Sequence, residues 1–290
     1  MLTAVLALSG ALVYGAADFF GGLAAKRISA VLATALGAAS GLVAILLVLP
    51  LLGATWSATD LAWGALAGVA GTIAIGLLYA CLAVGPMSIL SPLTAVVSAI
   101  TPMVWGVAVG GERFGPLGIW AIGLALVAVV LVGFVPERGA VRPSARGLLM
   151  AVGAGAGIGT YYILIAQTSD ASGLAPLVAT RGVTAVLGFA AAGVVALVVR
   201  RRVIAAPRGG GARSRGLRLA LGAGLLDASA NALLLLALRA GDLSVAAVLG
   251  ALYPAGTILL AALVLKERIA PVQWAGLVLA LAAAAMLALG

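Results

Sequence analysis

Histidine is missing from the sequence altogether, and cysteine occurs once, as Cys81. The first absence removes the side chain most often used to bind zinc or move protons at neutral pH. The second rules out an internal disulfide and any multi-cysteine metal site. Charge is nearly as scarce: 9% of the residues are Asp, Glu, Lys or Arg, against about a quarter in a soluble domain. Lysine is confined to Lys26 and Lys266. No GxxxxGK[ST] phosphate loop occurs, and no polar stretch is long enough for a nucleotide-hydrolysing domain. With so few nucleophiles, bases or ligands to cluster, the chain is read as a non-enzyme without cofactor or metal.

What fills the sequence instead is hydrocarbon. Apolar residues make up 64% of the chain and the mean hydropathy is +1.26. The uncharged runs 114–136, 243–265 and 269–290 each supply the ~20 residues that cross a bilayer core. Run 61–111 is long enough for two crossings, with Gly85-Pro86 as its natural turn. The pattern predicts an all-α integral membrane protein with ten transmembrane helices, at about 2–24, 30–52, 61–84, 87–109, 115–135, 147–167, 175–199, 218–238, 243–265 and 272–289. Pro92, Pro102 and Pro254 are expected to interrupt the fourth and ninth of these. The hydrophilic stretches 136–146 and 200–218 are expected to be loops, the second mobile. No basic stretch precedes Leu2, so the first segment is read as a retained helix and not a cleavable signal.

The two halves of the chain resemble each other. Leu82-Ala83-Val84-Gly85-Pro86-Met87-Ser88 aligns with Leu238-Arg239-Ala240-Gly241-Asp242-Leu243-Ser244 at an offset of 156, and Gly111-Glu112-Arg113-Phe114 with Lys266-Glu267-Arg268-Ile269 at 155. Nearer the start, residues 15–26 lie opposite 159–170 at an offset of 144. This divides the chain into a five-helix repeat at 1–136, a connector at 137–146 and a second repeat at 147–290. A repeat with an odd number of crossings enters the membrane from the opposite side, giving an inverted pair.

The net charge of +9 fits membrane topology better than nucleic-acid binding, because the arginines stand between hydrophobic runs. Lys26 and Arg27, then Arg138, Arg142 and Arg146, then seven arginines within 200–218, then Lys266 and Arg268, fall in the odd-numbered loops; the even loops hold Arg113 and Arg239. Odd loops are therefore predicted cytoplasmic and both termini external, in a cell inner (plasma) membrane. The arginine-rich loop is read as a topology determinant in contact with anionic lipid, with a regulatory site as the alternative.

The doubled ten-helix pattern, the Pro/Ser-bearing starts of helices 4 and 9, and the duplicated Gly-Glu-Arg-Phe and Lys-Glu-Arg-Ile turns resemble the EamA-type transporters of the drug/metabolite transporter superfamily. Thr180-Arg181-Gly182 also resembles an arginine motif of that family's seventh helix, although Gly37 stands at the matching place in the first half. The resemblance implies a secondary transporter with a central cavity between the halves, often an exporter of amino acids, other metabolites or toxic compounds.

Three ionisable residues lie inside predicted spans, where each costs roughly 2.5–3.5 kcal/mol unless it has a partner or a cavity. Asp18 follows Tyr14 by one helical turn and shares its face; it is read either as a proton or amine site or as a carboxylate that pairs with Lys26 or Arg27 or meets interfacial water. Asp227 and Asn231 repeat that spacing in helix 8, where the first half has Gly71. Arg181 is the candidate counter-ion of Asp227, either as a fixed structural pair or as one that substrate or proton binding breaks. Tyr79, Tyr161, Tyr162 and Tyr253 offer aromatic wall and hydroxyls to a solute, with ordinary packing as the alternative. Trp56, Trp63 and Trp120 are assigned to the interfacial belt. Glycines four apart, such as Gly37 with Gly41 and Gly64 with Gly68, mark close helix packing.

The reading is a secondary active transporter that exports small metabolites such as amino acids by alternating access. A proton-coupled exporter of cationic drugs is the alternative, and a membrane-embedded enzyme or a helper subunit stands further behind. The expected partners are a small-molecule substrate, membrane lipid and a coupling proton or other ion, and no nucleic acid.

Overall fold

The computed structural model describes residues 1–25, 27–84, 87–133, 144–200, 210–264, 266 and 270–289. These form eleven α-helices, with no strand among the described residues: α1 (Leu2–Ala25), α2 (Ala30–Leu52), α3 (Ala58–Val84), α4 (Met87–Ala108), α5 (Pro116–Gly133), α6 (Ala145–Ala166), α7 (Ala175–Arg200), α8 (Gly210–Ala240), α9 (Leu243–Gly250), α10 (Tyr253–Val264) and α11 (Pro271–Leu289). A 3₁₀ turn, Asp170–Ser172, links α6 to α7.

Local chemistry explains the helix ends. The Ser29 and Ser144 hydroxyls cap α2 and α6 by accepting from the backbone amides of Leu32 and Gly147. Gly53 ends α2 at φ 68° and Gly111 follows α4 at φ 71°, conformations in which a Cβ is strained. Pro116 and Pro271 open α5 and α11, where a missing amide costs nothing.

Seven apolar helical stretches are long enough to cross a membrane, and shorter apolar runs lie in α4, α5 and α11. Large hydrophobic side chains such as Leu47, Leu51, Trp120, Leu149 and Leu263 stand exposed. In water such a surface would aggregate; against lipid it is the required one. The chain is a multi-pass membrane protein.

Inside, the helices pack through small residues. α1 lies along α8, α3 along α6, and α5 along α11, while α2 meets α7 and α8, α3 also meets α7, α1 meets α10, and α4 meets α6 and α9. A methyl group built on Gly224 would sit 2.1 Å from the Gly37 carbonyl oxygen, and one on Gly15 2.4 Å from that of Tyr253. Hydroxyls seal such seams: Ser40 donates to the Leu221 carbonyl at 2.9 Å, Thr180 to that of Gly64 at 2.8 Å, and Thr257 to that of Gly15 at 3.1 Å. Where the hydrophobic effect gives no drive between helices, these contacts supply the cohesion.

Two expectations are corrected. The fourth helix, expected to be interrupted at Pro92 and Pro102, runs unbroken through both as α4, whereas the ninth divides as expected, into α9 and α10 at Ala251 and Leu252, because Pro254 has no amide to donate to the Gly250 carbonyl one turn earlier. The stretch 200–218, expected to be a loop, is helical at its start, where α7 reaches Arg200, and again from Gly210, so α8 carries Arg213, Arg215 and Arg218 on its first turns. Arginine is a good helix former, and these side chains are exposed. Residues 201–209, the Gly85-Pro86 turn and residues 136–143 of the connector lie outside the described residues. In the expected tryptophan belt Trp56 and Trp120 are exposed and Trp63 is half-buried.

Candidate functional site

Seven helices, α1, α2, α3, α6, α7, α8 and α10, enclose a cavity of about 570 Å³. It begins near the middle of the bundle, at Tyr161, Tyr162 and Asn231, and runs to the α1–α2 elbow, where Gly21, Gly22, Ala25 and Ala30 line it. The wall is largely apolar, as a solute site generally is, with a small number of polar groups.

Tyr14, Asp18, Tyr161, Tyr162, Arg181, Asp227, Asn231 and Tyr253, all singled out from the sequence, converge on this one space. Tyr79 lies on α3, but its side chain is outside the described residues. On the floor, Arg181 of α7 donates through Nη1 to the Asp227 Oδ2 of α8, and through Nη2 to the Asp227 carbonyl at 3.4 Å. Asn231, one turn further along α8, donates to the same carbonyl at 2.7 Å and to Asp227 Oδ1 at 3.4 Å. Its own Oδ1 accepts from the Tyr161 hydroxyl of α6. The Tyr161 and Tyr162 rings meet edge to face at 5.7 Å. Thus a guanidinium, a carboxylate, an amide and a phenol form one hydrogen-bonded chain that joins α6, α7 and α8. A pair buried in this way offsets its desolvation through such added hydrogen bonds.

Asp18 is different. It is exposed to the cavity, and among the described residues it has no hydrogen-bond or ion-pair partner. Lys26, a cation weighed for it, lies outside the described residues. Gly71, at the place where the second half carries Asp227, also lines the cavity, and a methyl group there would touch the Tyr161 ring at 3.6 Å. The sequence reading missed Thr34, Thr72, Thr184 and Thr257, whose hydroxyls line the same wall. Only their position within apolar spans marked them. Among the described residues no group of three acidic or cysteine side chains comes close enough to hold a metal ion.

The other end of the bundle is shut. Leu174, Leu177, Leu234, Leu235, Leu249 and Leu252 belong to the main apolar core, each under a tenth exposed. Over that core the α6–α7 connection is tied on both sides. Asp60, at the start of α3, accepts from the Ser169 amide at 3.0 Å and from its hydroxyl at 2.6 Å. Arg239, at the end of α8, donates to the carbonyls of Gly173 at 2.8 Å and Ser169 at 2.9 Å. Thr55 donates to the Ala171 carbonyl through both amide and hydroxyl, at 2.9 and 2.8 Å. Beside this clasp, Glu112 accepts from the Ser244 hydroxyl and amide at the first turn of α9. From the sequence, Glu112, Arg239 and Ser244 were noted as parts of the internal repeat, Glu112 also for the family resemblance and Arg239 for topology, and none for these contacts.

Comparison with known proteins agrees with this architecture. A solved structure titled "Crystal structure of protein" superposes with a TM-score of 0.70 at 16% identity, covering 99% of this chain and 96% of that one, which establishes a shared fold. No curated protein matches the chain. The family model of the EamA-like transporter family matches residues 145–289, the span that supplies Tyr161, Tyr162, Arg181, Asp227, Asn231 and Tyr253 to the cavity. The chain therefore belongs to the EamA-like transporter family, membrane transporters of the drug/metabolite transporter superfamily.

Proposed function

We propose that the protein is a secondary active transporter that exports small metabolites such as amino acids, and that its two halves form inverted five-helix repeats which expose one central cavity to each side in turn. The observation that carries this reading is the cavity's asymmetry: polar groups meet at mid-bundle, one end is open, and the other is covered by an apolar core and a polar clasp. Such a site has access from one side at a time, as alternating access requires.

The helix pairings support the repeat. Exchanging α1, α2, α3, α4 and α5 with α6, α7, α8, the α9–α10 pair and α11 turns each principal contact into another: α1 with α8 becomes α6 with α3, and α1 with α10 becomes α6 with α4. The close approach of Gly15 to Thr257 has a counterpart in Gly159 against Thr101, and that of Gly224 to Gly37 one in Gly68 against Thr180. The open end carries Arg27, Arg213, Arg215 and Arg218, so the positive-inside rule makes it cytoplasmic, the side from which an exporter loads.

A second reading, a proton-coupled exporter of cationic drugs, draws support from Asp18, a cavity carboxylate without a described partner. Proteoliposomes containing the purified chain separate the two. Saturable efflux of an amino acid, with lipophilic cations not carried, supports metabolite export. Saturable cation flux driven by a pH gradient supports the second reading, and no saturable flux of either kind contradicts both.

A further inference from the structure

Among the described residues three charged side chains line the cavity, and they are not equally available. Arg181 is 7% exposed, and each of its terminal nitrogens donates one hydrogen bond to Asp227. Its Nε is buried, with no partner among the described residues. The Asp227 side chain is 31% exposed, yet its two oxygens are engaged by Arg181 and Asn231. Asp18 alone is exposed and without a partner among the described residues.

We propose that the cavity recognises its solute by an ammonium group placed on Asp18 and disfavours a carboxylate in that place. This rests on the reading of the cavity as the solute site. With Arg181 and Asp227 cancelling, the ionised site keeps one negative charge, which a monocation neutralises. A solute carboxylate placed at Asp18 would meet that acidic side chain, while the guanidinium charge of Arg181 is already balanced by Asp227, an arrangement that disfavours it. Tyr14, one turn from Asp18, lines the same space together with Tyr162 and Tyr253, and aromatic side chains of this kind are compatible with an ammonium. An amino acid is then accepted by its amine end, and loss of its carboxylate does not weaken binding.

The test uses three probes with one aromatic body: phenethylamine, phenylalanine and 3-phenylpropionate. Their affinities for the purified full chain in detergent are measured by calorimetry at mildly alkaline pH, where the amines are still charged. Phenethylamine is expected to bind at least as tightly as phenylalanine, and 3-phenylpropionate about tenfold or more weaker. Asp18→Asn should weaken phenethylamine about ten- to hundredfold, whereas Asp18→Glu keeps most of the affinity. An unchanged melting temperature of the unliganded Asp18→Asn protein shows that its fold is intact. Equal binding of 3-phenylpropionate, amine binding indifferent to Asp18→Asn, or no binding of either amine overturns the proposal. Vesicle flux keeps the two ideas apart: amino-acid flux without an amine preference removes only the ammonium assignment, and absence of both flux and binding removes the transport reading too.

Discussion

The two ends of this bundle are built from the same few residue types to opposite effect. At the α1–α2 end, glycine and alanine leave space, and the polar groups face a cavity. At the α6–α7 end, leucines close the space, and the polar groups are spent on one another, Asp60 on Ser169 and Arg239 on backbone carbonyls. An unsatisfied polar group in a low-dielectric interior is costly, so a polar residue there is either held by protein or kept for something that comes and goes. The sealed end shows the first condition and Asp18 the second. Between them, Arg181 and Asp227 form a floor held to α6 through Asn231 and Tyr161.

Breaking the floor should have the largest effect. Arg181→Gln or Asp227→Asn alone strands one charge in the bundle and should cost about 3–5 kcal/mol, seen as a lower midpoint of unfolding in detergent. The double substitution should recover much of that loss. Full transport by the double mutant would discard the idea that solute or proton binding acts by opening this pair, and would leave the pair a structural role. Loosening the sealed end comes next: Arg239→Ala frees two carbonyls from their donor, with an expected loss of about 2–3 kcal/mol by the same measurement. A third comparison sets two glycines side by side. Gly224→Ala forces a methyl group against the Gly37 carbonyl and should cost about 1–3 kcal/mol, whereas Gly22→Ala, with nothing within 4 Å at the cavity mouth, should be silent. The smallest measurable loss is expected of Tyr161→Phe, which removes one hydrogen bond to Asn231 and should cost about 1 kcal/mol.

The cavity was legible in the sequence to a degree that the clasp was not. A charge within an apolar run is expensive and therefore conspicuous, so Asp18, Arg181 and Asp227 could be named and Arg181 matched to Asp227 without coordinates. Threonine is tolerated in a span because its hydroxyl bonds to the preceding turn, as Thr72 does to the Gly68 carbonyl, and so Thr34, Thr184 and Thr257 gave no signal. Asp60 and Arg239 stand at helix ends, where charges serve topology in any membrane protein, and nothing local says that both reach residues 169–173. Those contacts are set by how distant helices pack. Helix positions followed the hydropathy closely. The exceptions were α8, whose first turns project beyond the apolar run, and α4, which runs on through Pro92 and Pro102, whereas the proline at 254 does break its helix as its lack of an amide led one to expect.

Alternating access requires the sealed end to open during transport. Replacing Cys81 by serine and introducing Thr55→Cys with Ala171→Cys places two thiols on segments that a backbone hydrogen bond of 2.9 Å already joins, for oxidation to bridge. Flux through proteoliposomes should stop when this bridge is oxidised and return when it is reduced. Unchanged flux with the bridge fully formed would contradict alternating access through this cavity.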